Sequence, residues 1–355
     1  MSRDTFRLSW DKGIVLLLVL LILFGGMNNE YFATGDNVNF IIGDVSEIML
    51  IAFPMALLII VKEIDLSVAS ILTLASATCG ITWQATGSIY VAVVVGILTG
   101  AACGLVNGLL VTRLGLSSLA VTIGTLALYR GLCYVALGDT PIADFPTEFT
   151  DLGYTPIPGT FLPWVVVPMI IAGIVFWYVL HGTRFGRWLF AIGLGDEAAE
   201  FSGIPVLRVK LWLFILTGLM CGIAGIGYTV RFASSSPDGA LGFELLVIAA
   251  VLFGGVAIAG GVGTIWGVIA AVLIWGFSQS YLQLIGWDAN ALVIVSGVLL
   301  LLSVTIPRLL GALRGAISHR SFRPKGTEGV SSPPGDEVAQ NSPAGTGHDQ
   351  GSHRG

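Results

Sequence analysis

Long apolar runs, separated by short polar breaks, occupy most of this chain between Gly13 and Ile306. A helix needs about 20 apolar residues to cross the roughly 30 Å hydrocarbon core of a bilayer. Because runs of about this length recur, the pattern predicts an all-α protein, a polytopic transmembrane helical bundle of about ten spans. The predicted spans are 13–26, 46–61, 66–85, 89–112, 117–137, 163–181, 209–231, 244–260, 263–285 and 288–306.

Composition divides the chain into three parts. Residues 1–12 precede the first span, residues 13–306 form the transmembrane domain, and residues 307–355 form a tail rich in Ser, Pro and Gly. The tail has no apolar periodicity, so we expect it to be disordered. Hydrophobic residues make up 55% of the 355 residues and charged residues only 11%, which argues against a water-soluble enzyme.

The distribution of Lys and Arg predicts the orientation of the chain. If the N-terminus is placed inside, 15 of the 17 basic residues fall on the inner side of the alternating spans. Only Arg130 and Arg231 depart from this bias, and the outer loops carry mainly acidic residues. Because basic residues accumulate on the cytoplasmic side of membrane proteins, both termini are predicted to be cytoplasmic, with residues 139–160 outside.

One predicted cytoplasmic loop, residues 182–208, is long enough to carry structure of its own. It contains Asp196-Glu197-Ala198-Ala199-Glu200, a helix-forming run that Gly203 and Pro205 would end. Two interpretations remain open: a solvated connector, or a short helix along the membrane surface that docks another protein.

Glycine spacing in the fourth span indicates close helix packing. Gly96, Gly100, Gly104 and Gly108 recur every fourth residue, so they share one face of a helix. Little hydrophobic force drives helices together in lipid, and such small-residue faces let two backbones approach closely.

Two segments of the chain align without gaps: Glu47–Ser70 and Glu244–Gly267. In each, an acidic residue opens an apolar run, a break follows and another helix begins. The alignment is either a parallel internal repeat or a chance likeness between apolar sequences. A true repeat would make the breaks at 62–66 and 260–263 interrupted helices, which transporters use to build binding sites from free backbone groups.

The sequence indicates no catalytic, metal or cofactor chemistry. Its four cysteines lie inside apolar runs without paired spacing. It lacks the GxxxxGK[ST] phosphate loop, so the chain cannot itself use ATP. The middles of the predicted spans hold almost no ionisable residue, which argues against an ion-coupled secondary carrier, since such carriers place carboxylates there. The energy for any transport must then come from a partner.

Four motifs are distributed along the predicted spans and the long loop: Ile64-Asp65-Leu66-Ser67, Thr122-x-Gly124-Thr125-x-x-x-Tyr129-Arg130-Gly131, Ala198-Ala199-x-x-Ser202-Gly203-Ile204, and the glycine-rich block Gly242–Gly267. Together they resemble the permease subunits of ribose-type sugar ABC importers, over about residues 40–306. Members of that family usually carry Gly-Gly before the first motif, where Lys62-Glu63 stand here. This variant is more similar to the rhamnose and autoinducer-2 branch than to ribose permeases.

The resemblance implies the subunit that forms the translocation pathway of an ATP-driven monosaccharide importer, in the plasma (inner) membrane of a bacterium. It implies a cytoplasmic tandem ABC ATPase, an external or periplasmic sugar-binding protein, and a second permease copy or paralogue as partners. No cofactor and no nucleic acid is implied. The nearest alternative is a branched-chain amino-acid-type permease of the same superfamily, and the pairing of the first and third motifs favours sugar.

Two groups of candidate residues follow from the motifs. The first would line the substrate pathway: Asp65, Ser67, Thr122, Thr125, Arg130 and Glu244. The second would dock the ATPase: Glu197, Ala198, Ala199, Ser202, Gly203 and Ile204. Asp65 is also compatible with a structural cap at a helix start. Arg130 and Arg231 could each meet Glu244, Asp238 or an acidic surface of a partner.

Overall fold

The computed structural model describes residues 3–138 and 140–288, together with four isolated positions, 294, 297, 298 and 305. Within these residues the chain is mainly helical and contains no β-strand, only two isolated bridges. The predicted tail, 307–355, lies outside the described residues, as does most of the predicted tenth span, 288–306. The predicted all-α fold class is confirmed.

The described chain forms twelve α-helices. They are α1 (Arg3–Asn28), α2 (Gly35–Ile60), α3 (Val68–Thr86), α4 (Ile89–Leu114), α5 (Ser118–Leu137), α6 (Thr147–Thr150), α7 (Val167–Gly182), α8 (Arg184–Leu194), α9 (Asp196–Phe201), α10 (Val206–Phe232), α11 (Phe243–Phe253) and α12 (Ile265–Leu284). Eight helices in this part of the chain are long and apolar enough to cross a membrane: α1 to α5, α7 with the 3-10 turn before it, α10 and α12. The protein is therefore a multi-pass membrane protein.

The sequence predicts that this span begins at residue 46, whereas helix α2 begins at Gly35. Thr34 caps its first turn, and the polar residues that resembled a loop are accommodated inside the helix. Asp44, for example, forms an ion pair with Arg231 of α10. As a result Glu47 lies at the midpoint of α2 rather than at the start of a span.

Helix α11 is shorter than the predicted span 244–260, because it ends at Phe253. Three of the glycines that follow have left-handed backbones: Gly255, Gly260 and Gly261, with φ of 88°, 80° and 69°. Glycine adopts this conformation readily, and it stops a helix. Eleven residues rise only about 16 Å, roughly half of the bilayer core. Helix α11 therefore covers only part of the predicted span 244–260, and the rest of that span is a non-helical linker.

The two aligned segments agree in where the helix after the break begins. Helices α3 and α12 begin at Val68 and Ile265, which occupy the same position of the alignment. The helices before the breaks differ, since α2 begins well before Glu47 whereas α11 begins beside Glu244. The likeness between the segments is therefore confined to where the following helices begin, since the linkers 61–67 and 254–264 differ in length.

Helix α10 lies at the centre of the bundle and packs on α2, α3 and α4. Helix α5 packs on α3 and α4, whereas α7, α11 and α12 pack on α2, and α1 packs on α12. Every residue of α2 from Val45 to Ile60 is buried, as expected for a helix that is apolar on all faces. The core is therefore built around α2 and α10.

The two ends of the bundle differ in structure and charge. One end, hereafter the α8–α9 end, carries α8, α9 and the linkers 61–67 and 254–264. These linkers meet where the N–H of Gly261 donates to the carbonyl of Ile60 at 2.9 Å. The opposite end, the α6 end, carries residues 140–166. Basic residues collect at the α8–α9 end: Lys12, Lys62, Arg113, Arg184, Arg187, Arg208 and Lys210.

Candidate functional site

Asp65 lies in the linker 61–67 and is completely buried. One of its carboxylate oxygens accepts hydrogen bonds from the backbone N–H and the hydroxyl of Ser67, at 2.8 and 2.6 Å. The side-chain amide of Asn107 donates to the Ser67 hydroxyl at 2.8 Å and to the second Asp65 oxygen at 3.4 Å. Burial raises the pKa of Asp65 above its ordinary value, and the bonds from Ser67 and Asn107 oppose that rise.

These contacts make Asp65 a cap at the start of α3, which binds the linker to α4 through Asn107. Tyr129 of α5 extends the contacts, because its hydroxyl lies 3.2 Å from the amide oxygen of Asn107. We refer to Asp65, Ser67, Asn107 and Tyr129 as the buried polar cluster. Asn107 was missed from the sequence, although a lone amide in a glycine-rich span was a signal that could have indicated it.

The two candidate threonines of α5 also face the interior of the bundle. The Thr122 hydroxyl donates to the carbonyl of Ser118 at 2.8 Å, and Thr125 is buried one turn further along. In this conformation Asp65, Ser67 and both threonines therefore line no open surface.

Arg130 holds a backbone segment rather than an acidic side chain. Its guanidinium donates to the carbonyls of Pro237 and Gly239, at 2.6 and 2.8 Å, and to the hydroxyl of Thr73 at 3.1 Å. The expected partners lie elsewhere: Asp238 accepts a hydrogen bond from Tyr134, and Glu244 lies partly exposed in the first turn of α11. Arg130 thus fixes the segment between α10 and α11 against α3 and α5.

Arg231 forms a buried ion-pair cluster with two residues of α2. Its guanidinium lies 2.8 Å from Glu47 and 2.9 Å from Asp44. The second carboxylate oxygen of Glu47 has no hydrogen-bond partner among the described residues. The prediction that Arg231 meets Glu244 or Asp238 is wrong. The sequence pattern places Asp44 in a loop and Glu47 at the end of a span, so neither was expected beside Arg231.

This cluster places two ionisable side chains in the interior of the bundle near the α6 end, since Arg231 is the next-to-last residue of α10 and lies against Gly153. Glu47 is fully buried at the midpoint of α2, and only 4% of Arg231 is exposed. Desolvating such charges is expensive, and removing one partner of a buried pair would leave the other charge uncompensated. The cluster therefore fixes α2 against α10.

The predicted long loop 182–208 contains two short helices, α8 and α9, separated by Gly195, and residues 202–205 connect α9 to α10. Most candidate docking residues are exposed or partly exposed: Glu197, Ala198, Ser202, Gly203 and Ile204. Ala199 differs, because it is only 3% exposed and belongs to the hydrophobic core. Phe201, which was not predicted, is 93% exposed at the end of α9.

The glycine face of α4 packs mainly on α10. Gly100 lies against Gly218 and Gly222, and Gly104 lies against Phe214 and Gly218. The outer members of the set meet larger groups: Gly96 contacts Ala75 and Ile226, and Gly108 contacts Leu211 and Phe214. At the centre of this interface, two backbones are in direct contact.

Comparison with known proteins adds an independent observation. Residues 37–304 match the family described as branched-chain amino acid transport system / permease component. The L-arabinose ABC transporter permease protein AraH of Azospirillum brasilense is 34% identical over 293 residues, 82% of this chain and 86% of that protein. The autoinducer 2 import system permease protein LsrD of Yersinia pseudotuberculosis (serotype O:3, strain YPIII) is 34% identical over 304 residues, 84% of this chain and 91% of that protein. No solved structure matches this chain significantly.

Proposed function

Because this chain belongs to the family of branched-chain amino acid transport system permease components, whose members are transport subunits and not enzymes, we propose that it forms the translocation pathway of an ATP-driven importer for a monosaccharide. The similarity to AraH and LsrD supports sugar, since it extends over more than four fifths of this chain. The transported sugar is a pentose, a deoxyhexose such as rhamnose, or an autoinducer-2-like sugar. The second candidate is a branched-chain amino acid, which the description of the family favours.

The observation that carries the coupling to ATP is the exposed face of α9. A free phenylalanine ring at Phe201, next to the small residues Ala198 and Gly203, is a surface that another protein can cover. The chain has no phosphate loop of its own, so energy enters by contact. A cytoplasmic ABC ATPase pair that closes on ATP would push on α9 and switch the opening of the pathway.

The basic residues support an orientation with the α8–α9 end in the cytoplasm of a bacterium and the α6 end outside. Both termini are then cytoplasmic. A sugar-binding protein would deliver substrate at the α6 end. A second permease copy or a paralogue would complete the pathway, in the inner membrane.

Uptake by intact cells distinguishes the two classes of substrate. A strain without this chain, and the same strain complemented with it, are compared for uptake of radiolabelled L-arabinose, L-rhamnose, autoinducer 2 and leucine. We expect uptake of one sugar to be lost and restored, with leucine uptake unchanged. Loss of leucine uptake with all sugars unaffected would establish the second candidate instead.

A substitution at Phe201 tests the coupling. Burying a phenylalanine at an interface is worth about 1.5–3 kcal/mol, so Phe201→Ala should weaken ATPase binding about ten- to a hundredfold. The matched control is Phe161→Ala, which removes another exposed phenylalanine ring, 54% exposed, at the α6 end. Co-purification of the ATPase and ATP-driven uptake are measured for both. Equal retention of the ATPase by the two variants would contradict the assignment of α9.

A further inference from the structure

Lys210, in the first turn of α10, joins three separate elements of the α8–α9 end. Its ammonium lies 2.7 Å from a carboxylate oxygen of Glu63 and 2.6 Å from one of Asp196. Glu63 belongs to the linker 61–67, and Asp196 is the first residue of α9. The lysine and Glu63 side chains are only 10% and 13% exposed, whereas that of Asp196 is 45% exposed.

The linker at this ion pair is anchored on both sides. Lys62 has a left-handed backbone with φ of 65°, and the N–H of Glu63 donates to the carbonyl of Leu58 at 2.9 Å. Two residues further on, Asp65 belongs to the buried polar cluster, which joins the linker to α4 and α5. A displacement of Glu63 is therefore passed on to the start of α3.

A backbone contact beside the ion pair links α8 to the same linker. Gly193, near the end of α8, lies so close to Ile60 and Gly261 that a methyl group there would be 2.8 Å from the Cα of Gly261. The N–H of Gly261 also donates to the carbonyl of Ile60. Because no side chain separates these backbones, α8 can move little without moving the end of α2.

We propose that Lys210 is a positioning residue that transmits a movement of α9 to the linker 61–67, and through it to the buried polar cluster. This inference rests on the proposed function, in which an ATPase moves α9. An ammonium shared by two carboxylates can release the more exposed partner and keep the buried one, and an element that changes between two such arrangements can couple distant sites. The bond to Asp196 is the one that breaks and reforms, and the bond to Glu63 persists.

Two variants interrupt this link at different points. Asp196→Asn removes the charge of the exposed partner and leaves the buried pair in place. Lys210→Met removes the ammonium, and Lys210→Arg restores a cation that can still reach both carboxylates. Arg208→Met is the matched control, because Arg208 is an exposed basic residue in the same turn of α10.

The informative readout is the amount of substrate transported per ATP hydrolysed by the purified complex in proteoliposomes. For Asp196→Asn and Lys210→Met we expect this ratio to fall at least tenfold while the ATPase still binds and hydrolyses ATP. Lys210→Arg should recover most of the ratio, and Arg208→Met should leave it unchanged. The double variant, which combines Asp196→Asn with Lys210→Met, should transport no less substrate per ATP than Lys210→Met alone, because the two substitutions break the same link.

A purely structural role would lower hydrolysis and transport in proportion, so an unchanged ratio in both variants overturns the inference. If Lys210→Met yields too little complex, the ratio measured for Asp196→Asn is sufficient to test the inference, because the ion pair between Lys210 and Glu63 remains intact in that variant. Failure of the proposed function would look different: the wild-type chain would not bind an ATPase at all. A wild-type complex that transports normally, together with variants of normal ratio, refutes only the role of Lys210.

Discussion

The contact between α4 and α10 predicts that a single methyl group at Gly100 destabilises the protein. A Cβ atom there would lie 2.7 Å from both the backbone N and the Cα of Gly222, and closer still to the carbonyl oxygen of Gly218. Ordinary carbon contacts begin near 3.4 Å, so the helices would have to separate by at least about 0.7 Å. Backbone atoms cannot rotate away as a side chain can.

The expected magnitude follows from the rigidity of this interface. Inserting one methyl group into a well-packed core costs about 1–3 kcal/mol. Helix association in lipid depends on close packing, so separating α4 from α10 also weakens the contacts of Gly104 on the same face. We therefore expect Gly100→Ala to lower the free energy of unfolding by about 1–3 kcal/mol.

Helix α5 offers a matched control, because a methyl group at Gly124 would meet nothing within 4 Å. Glycine inside a helix is less favourable than alanine by roughly 0.5–1 kcal/mol, so Gly124→Ala should be neutral or stabilising. Replacing Gly by Ala is thus predicted to destabilise the protein at Gly100 and not at Gly124. Thermal unfolding midpoints of the purified variants in one detergent measure the difference. If Gly100→Ala melts at or above the midpoint of Gly124→Ala, the described contact between α4 and α10 is wrong.

Two further predictions concern charge and orientation. Arg231→Met leaves Asp44 and Glu47 unpaired in the bundle, so we expect a loss of about 3–5 kcal/mol, seen as a lower melting midpoint and yield. Adding Glu47→Gln should recover part of this loss, and no recovery would show that the arginine acts through packing alone. For orientation, Thr160→Cys and Ser202→Cys place single exposed thiols at the two ends, while the four native cysteines are buried. A membrane-impermeant maleimide should label Thr160→Cys in intact cells and Ser202→Cys only after lysis, and the reverse pattern would invert the orientation.

The sequence predicted those features that depend on neighbouring residues. Span positions follow from run length and hydropathy, which is why α3, α4 and α5 were placed within a few residues. The capping role of Asp65 followed from its position directly before a helix, and the glycine face of α4 followed from simple spacing. In each of these cases the relevant interaction lies within one or two turns of the chain.

Features that depend on distant partners could not be predicted. Residues 35–45 resembled a loop because they are polar, and some of their partners are distant in the chain, as Arg231 is for Asp44. Helix α11 is shorter than predicted because the glycines after it have left-handed backbone angles, and an apolar run of sequence gives no sign of those angles. In the sequence, Lys210 is one more cytoplasmic charge, because its partners Glu63 and Asp196 belong to other elements of the fold.

The meeting of Ile60, Gly193 and Gly261 has a consequence for biogenesis. The three residues belong to distant parts of the chain, and a nascent protein enters the membrane from its N-terminus onward. The end of α2 must therefore wait, with the carbonyl of Ile60 unpaired, until α8 and later the segment after α11 have been synthesised. A ribosome that stalls before residue 261 therefore leaves this junction open, with the end of α2 not yet joined to the segment after α11.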